Sequence, residues 1–428
     1  MRGIHRWLLF LYFATLGTYA IPELRLPGAL GGLPYGVVLI GLTWLAVLWE
    51  SMFGVEKLTG KSQSALYAVL CYSLGALLSI VGAHDIDYLL VFKMCVFPTI
   101  ILLVALVQPD LRGLTRLLLV LGVTGILLAG YGLYGFVTGA TGAIEEHLLG
   151  YFGITYTEAT RNGDILYIIV PFWCLAGLLW SRYGVASARW GRVTLWCLLG
   201  CLSLALLMSF VRGIWITIPL TCIFGGVLIR KPGKRFAAAA AIAIALLAIT
   251  QLGGIIGQLA TAWGGSAQQL VARAQTVGTL ESSAQASNSN ENRLVLIRAA
   301  VKIGVESSPF GLGIGQFRNV APEEAELVVN HAENMYLQVF CEQGWLSLAG
   351  LLWICSLTIA PVVDENAPPG IRFVTGTCRL IGLNLLLYAL MNLMIDGLWF
   401  WSVEAVCISV NSAAGTPALA PAAKETHA

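Results

Sequence analysis

Long apolar runs, repeated along almost the whole chain, constrain its fold more than any other feature of the sequence. A helix needs about 20 mostly apolar residues to cross the hydrocarbon core of a membrane. On that criterion the candidate spans lie at about 7–21, 29–49, 64–83, 88–107, 117–138, 164–181, 193–210, 213–229, 236–253, 345–363 and 380–401. The apolar stretch 402–415 is shorter, and it is left open as a twelfth span or an interfacial segment.

The composition agrees with these runs. Hydrophobic residues make up 57% of the chain and charged residues only 11%, whereas a soluble protein is roughly a quarter charged. The sequence therefore predicts an all-α polytopic membrane protein with about 11 to 12 transmembrane helices. Membrane lipids are the expected surroundings, and a net charge of +2 gives no reason to expect a nucleic-acid partner.

Lysine and arginine placement predicts the orientation, because cytoplasmic connections carry an excess of both. With the N-terminus inside, the outward connections are 84–87, 139–161 and a long loop, 254–344. The chain thus divides into spans within 1–253, the outer loop 254–344 containing amphipathic helices, and spans with a short tail in 345–428. The inward connections contain Lys57, Lys61, Arg112, Arg116, Arg182, Arg189, Arg192, Arg230, Lys231, Lys234, Arg235, Arg372 and Arg379.

The long outer loop has a flexible part and a helical part. Residues 253–290 are rich in Gly, Ala, Ser, Gln and Asn, which is typical of a lid or linker. Residues 291–305 predict an amphipathic helix with Asn290 as its N-cap. Arg293 would then lie in the first turn, where free backbone N–H groups favour an anion. The glycine-rich turn 309–317 lacks the strand and the GK[ST] sequence of a nucleotide loop.

His331 is the most informative of the five histidines. It begins a helix-like run whose polar positions recur at helical spacing: His331, Asn334, Gln338 and Glu342. An imidazole at the head of such a stripe is suited to accept a proton near neutral pH, and Asn334 is a candidate substrate contact. The alternative is a polar helix start that happens to contain a histidine.

Several charged residues lie in or against the predicted membrane on its outer side. Charges placed there are costly and usually face a cavity or a partner. The alternatives are snorkelling of the cations towards lipid headgroups, and a structural pairing of the aspartate with one of them. We expect these residues to contact the substrate: Arg212, Arg161, Arg293, Arg298, Lys93 and Asp396.

The order of the motifs resembles the O-antigen ligase and O-antigen polymerase superfamily. The segments 209–213 (SFVRG), 292–293 (NR), 308–313 (SPFGLG) and 330–344 (NHAENMYLQVFCEQG) carry this resemblance. It implies a multi-pass protein of the bacterial inner membrane that acts on undecaprenyl-diphosphate-linked glycans on the periplasmic side. It also implies that Arg212, Arg293 and His331 are functionally required. Nothing is carried over to Glu333, because members vary at that position.

The chemistry of such a transfer fits these residue types. Guanidinium groups bind phosphate through two parallel hydrogen bonds and stay protonated, so arginines suit a diphosphate leaving group. A neutral His331 would take the proton of the attacking sugar hydroxyl. Asp85 and Asp87 have DxD spacing in the short connection 84–87, but the long outer loop 254–344 contains no DxD sequence. Metal-independent transfer without a cofactor is therefore expected. Without a second carboxylate placed as nucleophile, a single displacement with inversion is the simpler scheme.

Three functions remain open on the sequence alone. A ligase would join the lipid-linked glycan to lipid A–core, and a polymerase would extend the lipid-linked glycan. A transporter of lipid-linked glycans would place its charges near the bilayer midplane within repeated, interrupted helices. The charges here lie in the outer layer beside a long loop, so glycosyl transfer is favoured, with ligase preferred to polymerase.

Overall fold

The computed structural model describes residues 4–16, 35–51, 60–107, 110–138, 158–208, 212–227, 284–325, 331–359, 367–391, 393–394 and 397–414. Helices account for the regular structure throughout these ranges, which contain no strand. The first half of the chain forms α1 (Ile4–Thr15), α2 (Tyr35–Ser51), α3 (Gly60–Leu78), α4 (Tyr88–Val96), α5 (Ile100–Val107), α6 (Leu111–Thr138), α7 (Glu158–Ser181), α8 (Arg189–Met208) and α9 (Arg212–Val227).

In the second half of the chain, the described residues form two helices of the predicted outer loop, followed by three more apolar helices. The described elements are α10 (Ala284–Glu306), α11 (Phe317–Ala325), α12 (Met335–Thr358), α13 (Pro369–Ala389) and α14 (Leu398–Ala414). The predicted all-α architecture is therefore confirmed.

Four helical segments in the described residues are long and apolar enough to cross a membrane. They are Gln63–Gly82, Tyr88–Val107, Met335–Thr358 and Pro369–Ala389. Shorter apolar helices lie at Val37–Trp49, Ile169–Ser181, Ile216–Gly225 and Leu398–Ala414. A chain with several such helices is a polytopic membrane protein, as predicted. The predicted span 236–253 lies outside the described residues.

Small residues let α3 and α12 pack with their backbones close together. A Cβ added at Gly75 would collide with Ser347, and one added at Gly350 would collide with the backbone of Tyr72. The Ser347 hydroxyl donates to the Tyr72 carbonyl at 2.8 Å. Close approach through glycine and serine, with a hydrogen bond between helices, is the usual way in which membrane helices associate.

The last helix, α14, is buried along almost its full length and holds the end of α12. Thr358, the last residue of α12, donates its hydroxyl to the Glu404 carboxylate. Two turns further along α14, the Asn411 amide donates to the carbonyls of Leu357 and Thr358, both at 2.9 Å. These bonds satisfy carbonyls that the end of a helix leaves without partners, which no lipid can do.

Two predicted span boundaries near the C-terminus are wrong. The single span at 380–401 is two helices, α13 and α14, because the polar and glycine residues between them interrupt an apolar run that hydropathy alone treats as continuous. Arg379, predicted in a cytoplasmic connection, instead lies inside α13 with 8% of its surface exposed. The stretch 402–415, left open above, forms most of α14.

The predicted start of the loop helix is also wrong. The helix α10 begins at Ala284 rather than at residue 291, so Asn290 is an interior residue and Arg293 lies beyond the first turns. Asn and Ser are only mildly unfavourable inside a helix, and the Ser- and Asn-rich stretch before Arg293 offers several residues at which a helix can begin. Arg293 therefore does not lie beside the free N–H groups at the start of its own helix.

Candidate functional site

The segment His331–Asn334 forms a bend that leads directly into α12. Asn334 is the N-cap, and its side-chain oxygen accepts from the Leu337 N–H at 3.0 Å. Its amide group donates to the Leu390 carbonyl at 3.0 Å, which ties the bend to the end of α13. An Asn in this position satisfies an N–H that the helix start would otherwise leave open. Asn334 was predicted as a substrate contact, and the structure gives its side chain a capping role.

The rest of the polar stripe has structural roles rather than lining one face of a cleft. His331 precedes the helix instead of opening it, so that part of the prediction is wrong, because Asn334 caps the helix three residues later. The Gln338 side-chain oxygen accepts from the Ala332 N–H at 2.7 Å and folds the bend back onto α12. The stripe thus fixes the position of His331 relative to the helix axis.

Glu333 joins the two sequence-predicted residues that the structure brings together. Its Oε2 lies 3.5 Å from Nη2 of Arg293, and its Oε1 lies 3.5 Å from Nε2 of His331. The backbone at Glu333 is left-handed, with a φ of 54°, a conformation that costs a residue with a Cβ roughly 1–2 kcal/mol. Such strain is found where a site requires a particular side-chain direction. Here it directs the carboxylate to both partners.

Arg293 and His331 remain accessible despite this pairing. The exposed fraction of the Arg293 side chain is 43%, against 17% for His331 and 31% for Glu333. A guanidinium has five N–H groups in a planar fork, and only Nη2 faces Glu333. The arginine can therefore bind an anion while its contact with the carboxylate persists.

The glycine-rich turn before α11 is hydrogen-bonded to α12, the helix that follows the His331 bend. Leu312 and Gly313 donate their N–H groups to the carbonyls of Cys341 and Glu342, both at 2.9 Å. The buried Glu342 carboxylate accepts from the N–H of Phe317 at 3.0 Å and also from that of Gly315. These N–H groups are thus used inside the protein, which explains the glycine motif without a bound phosphate.

A kink at Gly344 separates the site half of α12 from its membrane half. Gly344 has a φ of 75°, and the Trp345 N–H donates to the Pro309 carbonyl at 3.1 Å instead of continuing the helix. A Cβ at position 344 would collide with that same carbonyl. The kink falls at the boundary that the sequence predicted between the outer loop and the following span.

Three connections of the chain meet at this end of the helix bundle. The Gln316 amide donates to the Asp85 carbonyl in the turn between α3 and α4. Asn334 reaches the end of α13, and the Tyr336 hydroxyl donates to the Leu386 carbonyl at 3.2 Å. The α3–α4 turn, the glycine-rich turn and the His331 bend therefore share one end of the described helix bundle.

The other predicted site residues are placed less completely. Arg212 is the first residue of α9, and Arg161 lies in the first turn of α7, but their side chains are outside the described part of the structure. Asp396 lies outside the described residues altogether.

Lys93 and Arg298 do not join the cluster in the described residues. Lys93 is half-buried on α4, one turn beyond Leu90, which lies beside Gly315 of the glycine-rich turn. Arg298 is exposed on α10. Five helical positions separate it from Arg293, so the two point about 140° apart around the helix.

Sequence reasoning assigned no role to Glu333, and it missed the capping role of Glu342. Glu333 follows His331 by two residues. A glutamate does not indicate a left-handed backbone, which is usually marked by glycine or asparagine. Glu342 was recognised only as a member of the polar stripe. Its partners Gly315 and Phe317 are distant in sequence, so local patterns could not identify them.

The arrangement offers a base, a carboxylate and a cation within one small cluster. Nε2 of His331 faces Glu333, so a hydrogen bond there leaves Nδ1 to accept a proton from a substrate. The carboxylate would stabilise the imidazolium that results, as in the histidine–carboxylate pairs of hydrolases. Within the described residues, no three His, Cys, Asp or Glu side chains are grouped as metal ligands would be.

Comparison with known families connects this geometry to an activity. Residues 197–352 match the family model described as O-antigen ligase. The matched stretch runs from within α8 past the kink in α12, and it includes Arg212, Arg293 and His331. No curated protein matches the chain.

Proposed function

We propose that the chain is an O-antigen ligase, a glycosyltransferase that acts on a lipid-linked glycan. The match of residues 197–352 to the family model described as O-antigen ligase supports this proposal. The donor is a glycan on undecaprenyl diphosphate, and the acceptor is a sugar hydroxyl of lipid A–core. The reaction takes place at the periplasmic face of the bacterial inner membrane.

The contact of Glu333 with both His331 and Arg293 is the observation that carries this proposal. The acceptor oxygen forms a bond to the anomeric carbon of the donor sugar while the bond from that carbon to the phosphate oxygen breaks. The electron pair of the broken bond leaves with undecaprenyl diphosphate, and the hydroxyl proton passes to Nδ1 of His331. Glu333 stabilises the positive charge that forms on the imidazole.

Arginines stabilise the diphosphate as it leaves. Arg293 is partly exposed beside the base, and Arg212 begins α9, where the first backbone N–H groups of the helix also favour an anion. A guanidinium binds two phosphate oxygens at once and cannot lose its proton near neutral pH. Arg161 and Lys93 are proposed as further donor contacts, and Asp396 as a contact to the acceptor.

We propose direct displacement with inversion at the anomeric carbon. A double displacement needs a carboxylate free to attack that carbon. Glu333 is the carboxylate nearest to His331 among the described residues, and it is already engaged by Arg293 and His331. Determination of the anomeric configuration of donor and product tests this point, and retention would contradict it.

A polymerase is the second candidate, because it would use the same donor chemistry and belongs to the same superfamily. The two differ only in the acceptor. A transporter of lipid-linked glycans is disfavoured because it would place its charges near the bilayer midplane, whereas Arg293 and His331 lie at one end of the bundle.

A reconstituted assay with purified protein distinguishes the candidates. One reaction offers the lipid-linked glycan with lipid A–core, and the other offers the lipid-linked repeat unit alone. A ligase forms product only in the first reaction. Elongated lipid-linked glycan in the second would identify a polymerase, and no product in either would leave binding or transport as the activity.

A further inference from the structure

The helix α10 has two apolar faces, and the residues that the structure describes cover only one of them. Leu296, Ala300 and Ile303 are buried, and they pack in a small cluster with residues of α11 and α12 such as Phe317 and Cys341. This face holds Arg293 and the His331 bend together. A helix that is apolar on its other side as well needs a second apolar neighbour.

The opposite face of α10 exposes a stripe of large apolar side chains. The exposed fractions are 55% for Leu294, 43% for Val301 and 63% for Val305. These residues are seven and four positions apart, so they point in directions within about 40° of one another. Such a stripe is not a scatter of single exposed residues, and it marks an interaction surface.

The stripe adjoins the exposed apolar side chains of α12 through a buried contact. Next to Val305, Gly304 lies against the ring of Phe340, which is 4.6 Å from the ring of Trp345. Trp345 and Phe310 are exposed. Beyond the kink, Leu352 and Trp353 are exposed on α12, a helix long and apolar enough to cross a membrane. The exposed apolar side chains of α12 thus begin next to the stripe on α10.

Cationic side chains border the stripe. Arg298 and Lys302 are exposed, and they lie within about 80° of Leu294 around the helix. An apolar stripe edged by Arg and Lys, and joined to a membrane span, is the pattern of a helix that lies in the plane of a membrane surface. A tryptophan at the join suits the headgroup level, where its ring is part apolar and part polar.

We propose that α10 lies in the surface of the membrane leaflet at this end of the bundle, with Leu294, Val301 and Val305 among the acyl chains. Arg298 contacts lipid headgroup phosphates. Arg293, on the protein side of the same helix, is then held at the depth of lipid phosphates, with His331 beside it. The surface assignment is independent of the proposed reaction, since it rests on exposure and continuity alone.

Photo-crosslinking in nanodiscs tests this placement without reference to activity. The full-length protein carries p-benzoylphenylalanine at position 294, 301 or 305, and after illumination lipid adducts on the α10 peptide are measured by mass spectrometry. Asn292 is the matched control, since it is exposed on the same helix but about 160° from the stripe centre. We expect several-fold more lipid adduct at the three stripe positions than at position 292.

A second set of variants controls for the possibility that the probe itself disturbs the helix, because the probe stays at one position while a neighbouring residue is changed. With the probe at position 301, Val305→Asp should reduce the lipid adduct several-fold, while Val305→Leu should preserve it. Equal adduct at all positions would overturn the proposal. So would crosslinks from the stripe to another segment of the chain or to a second copy, because the stripe would then be covered by protein.

Discussion

Glu333 decides the geometry of the candidate site at the scale of single residues. It reaches Arg293 and His331 with different oxygens, each at 3.5 Å, and it does so from a left-handed backbone. Distances of this length tighten readily when a substrate excludes water from the site. The carboxylate thus has two functions, which are to orient the imidazole and to hold the arginine beside it.

Replacement of Glu333 separates strain from function. Glu333→Gly removes the cost of a left-handed Cβ, so we expect thermal stability in detergent to be unchanged or higher by about 1 kcal/mol. Transfer should fall at least tenfold, because His331 and Arg293 lose their common partner. Glu333→Gln, which keeps the shape but not the charge, should show a similar loss. Full activity in Glu333→Gly would show that the carboxylate has no part in the reaction.

Arg212 is predicted to bind the diphosphate of the donor. Arg212→Ala should nearly abolish transfer with normal expression and folding, and Arg212→Lys should rescue it poorly, because an ammonium cannot bridge two phosphate oxygens as a guanidinium does. Arg116→Ala, at an exposed arginine in the first turns of α6, is the control and should retain activity. Wild-type turnover by purified Arg212→Ala would refute the assignment.

At the scale of elements, the kink in α12 is what places the bend above the membrane half of the helix. The glycine-rich turn supports it through hydrogen bonds from Leu312 and Gly313 and through the Pro309 carbonyl. Glu342 then connects this turn to the start of α11. The kink, the turn and α11 therefore form one unit beneath His331.

Substitution at the kink should break that unit. Gly344→Ala demands a φ that alanine avoids and places a Cβ against the Pro309 carbonyl, so we expect a loss of stability of about 2 kcal/mol or more together with loss of transfer. Gly200→Ala is the control, because a Cβ there meets nothing within 4 Å and alanine is the better helix former. Thermal unfolding in detergent compares the two. Equal stability of both variants would contradict the described kink.

The class of fold could be predicted from the sequence, but the contacts between side chains at the candidate site could not. Apolar runs identified helices such as α3 and the α4–α5 segment, because a run of about 20 mostly apolar residues matches the length of a helix that crosses a membrane. The break between α13 and α14 was missed because hydropathy averages over a short polar interruption. At the site, His331 and Arg293 could be named from their residue types, but Glu333 could not, since its role depends on a backbone angle and on a partner 40 positions away.

At the scale of the whole molecule, the structure brings Arg293, His331 and Glu333 together at one end of the described helix bundle. The α3–α4 turn, the His331 bend and the end of α13 meet there through Gln316 and Asn334. A long-chain lipid substrate could lie along the bundle while its diphosphate reaches this end. The proposed position of α10 in the membrane surface would bring headgroup and base to the same level.

Transfer is predicted to be independent of divalent metal ions. In the proposed reaction, Arg293 and Arg212 would take the role that a metal ion would have on the diphosphate. Treatment of the purified enzyme with EDTA should therefore leave the rate unchanged, as measured by product formation with lipid-linked donor. Loss of activity that added magnesium or manganese specifically restores would contradict this, and would direct attention to Asp396 and Glu333 as ligands.

The most direct test of the account compares donor binding and glycan transfer in purified His331→Gln. Glutamine keeps a hydrogen bond but accepts no proton, so this variant should bind the lipid-linked donor about as well as the wild type and transfer at least a hundredfold more slowly. Retention of most of the transfer rate by His331→Gln would contradict the assignment of His331 as the base.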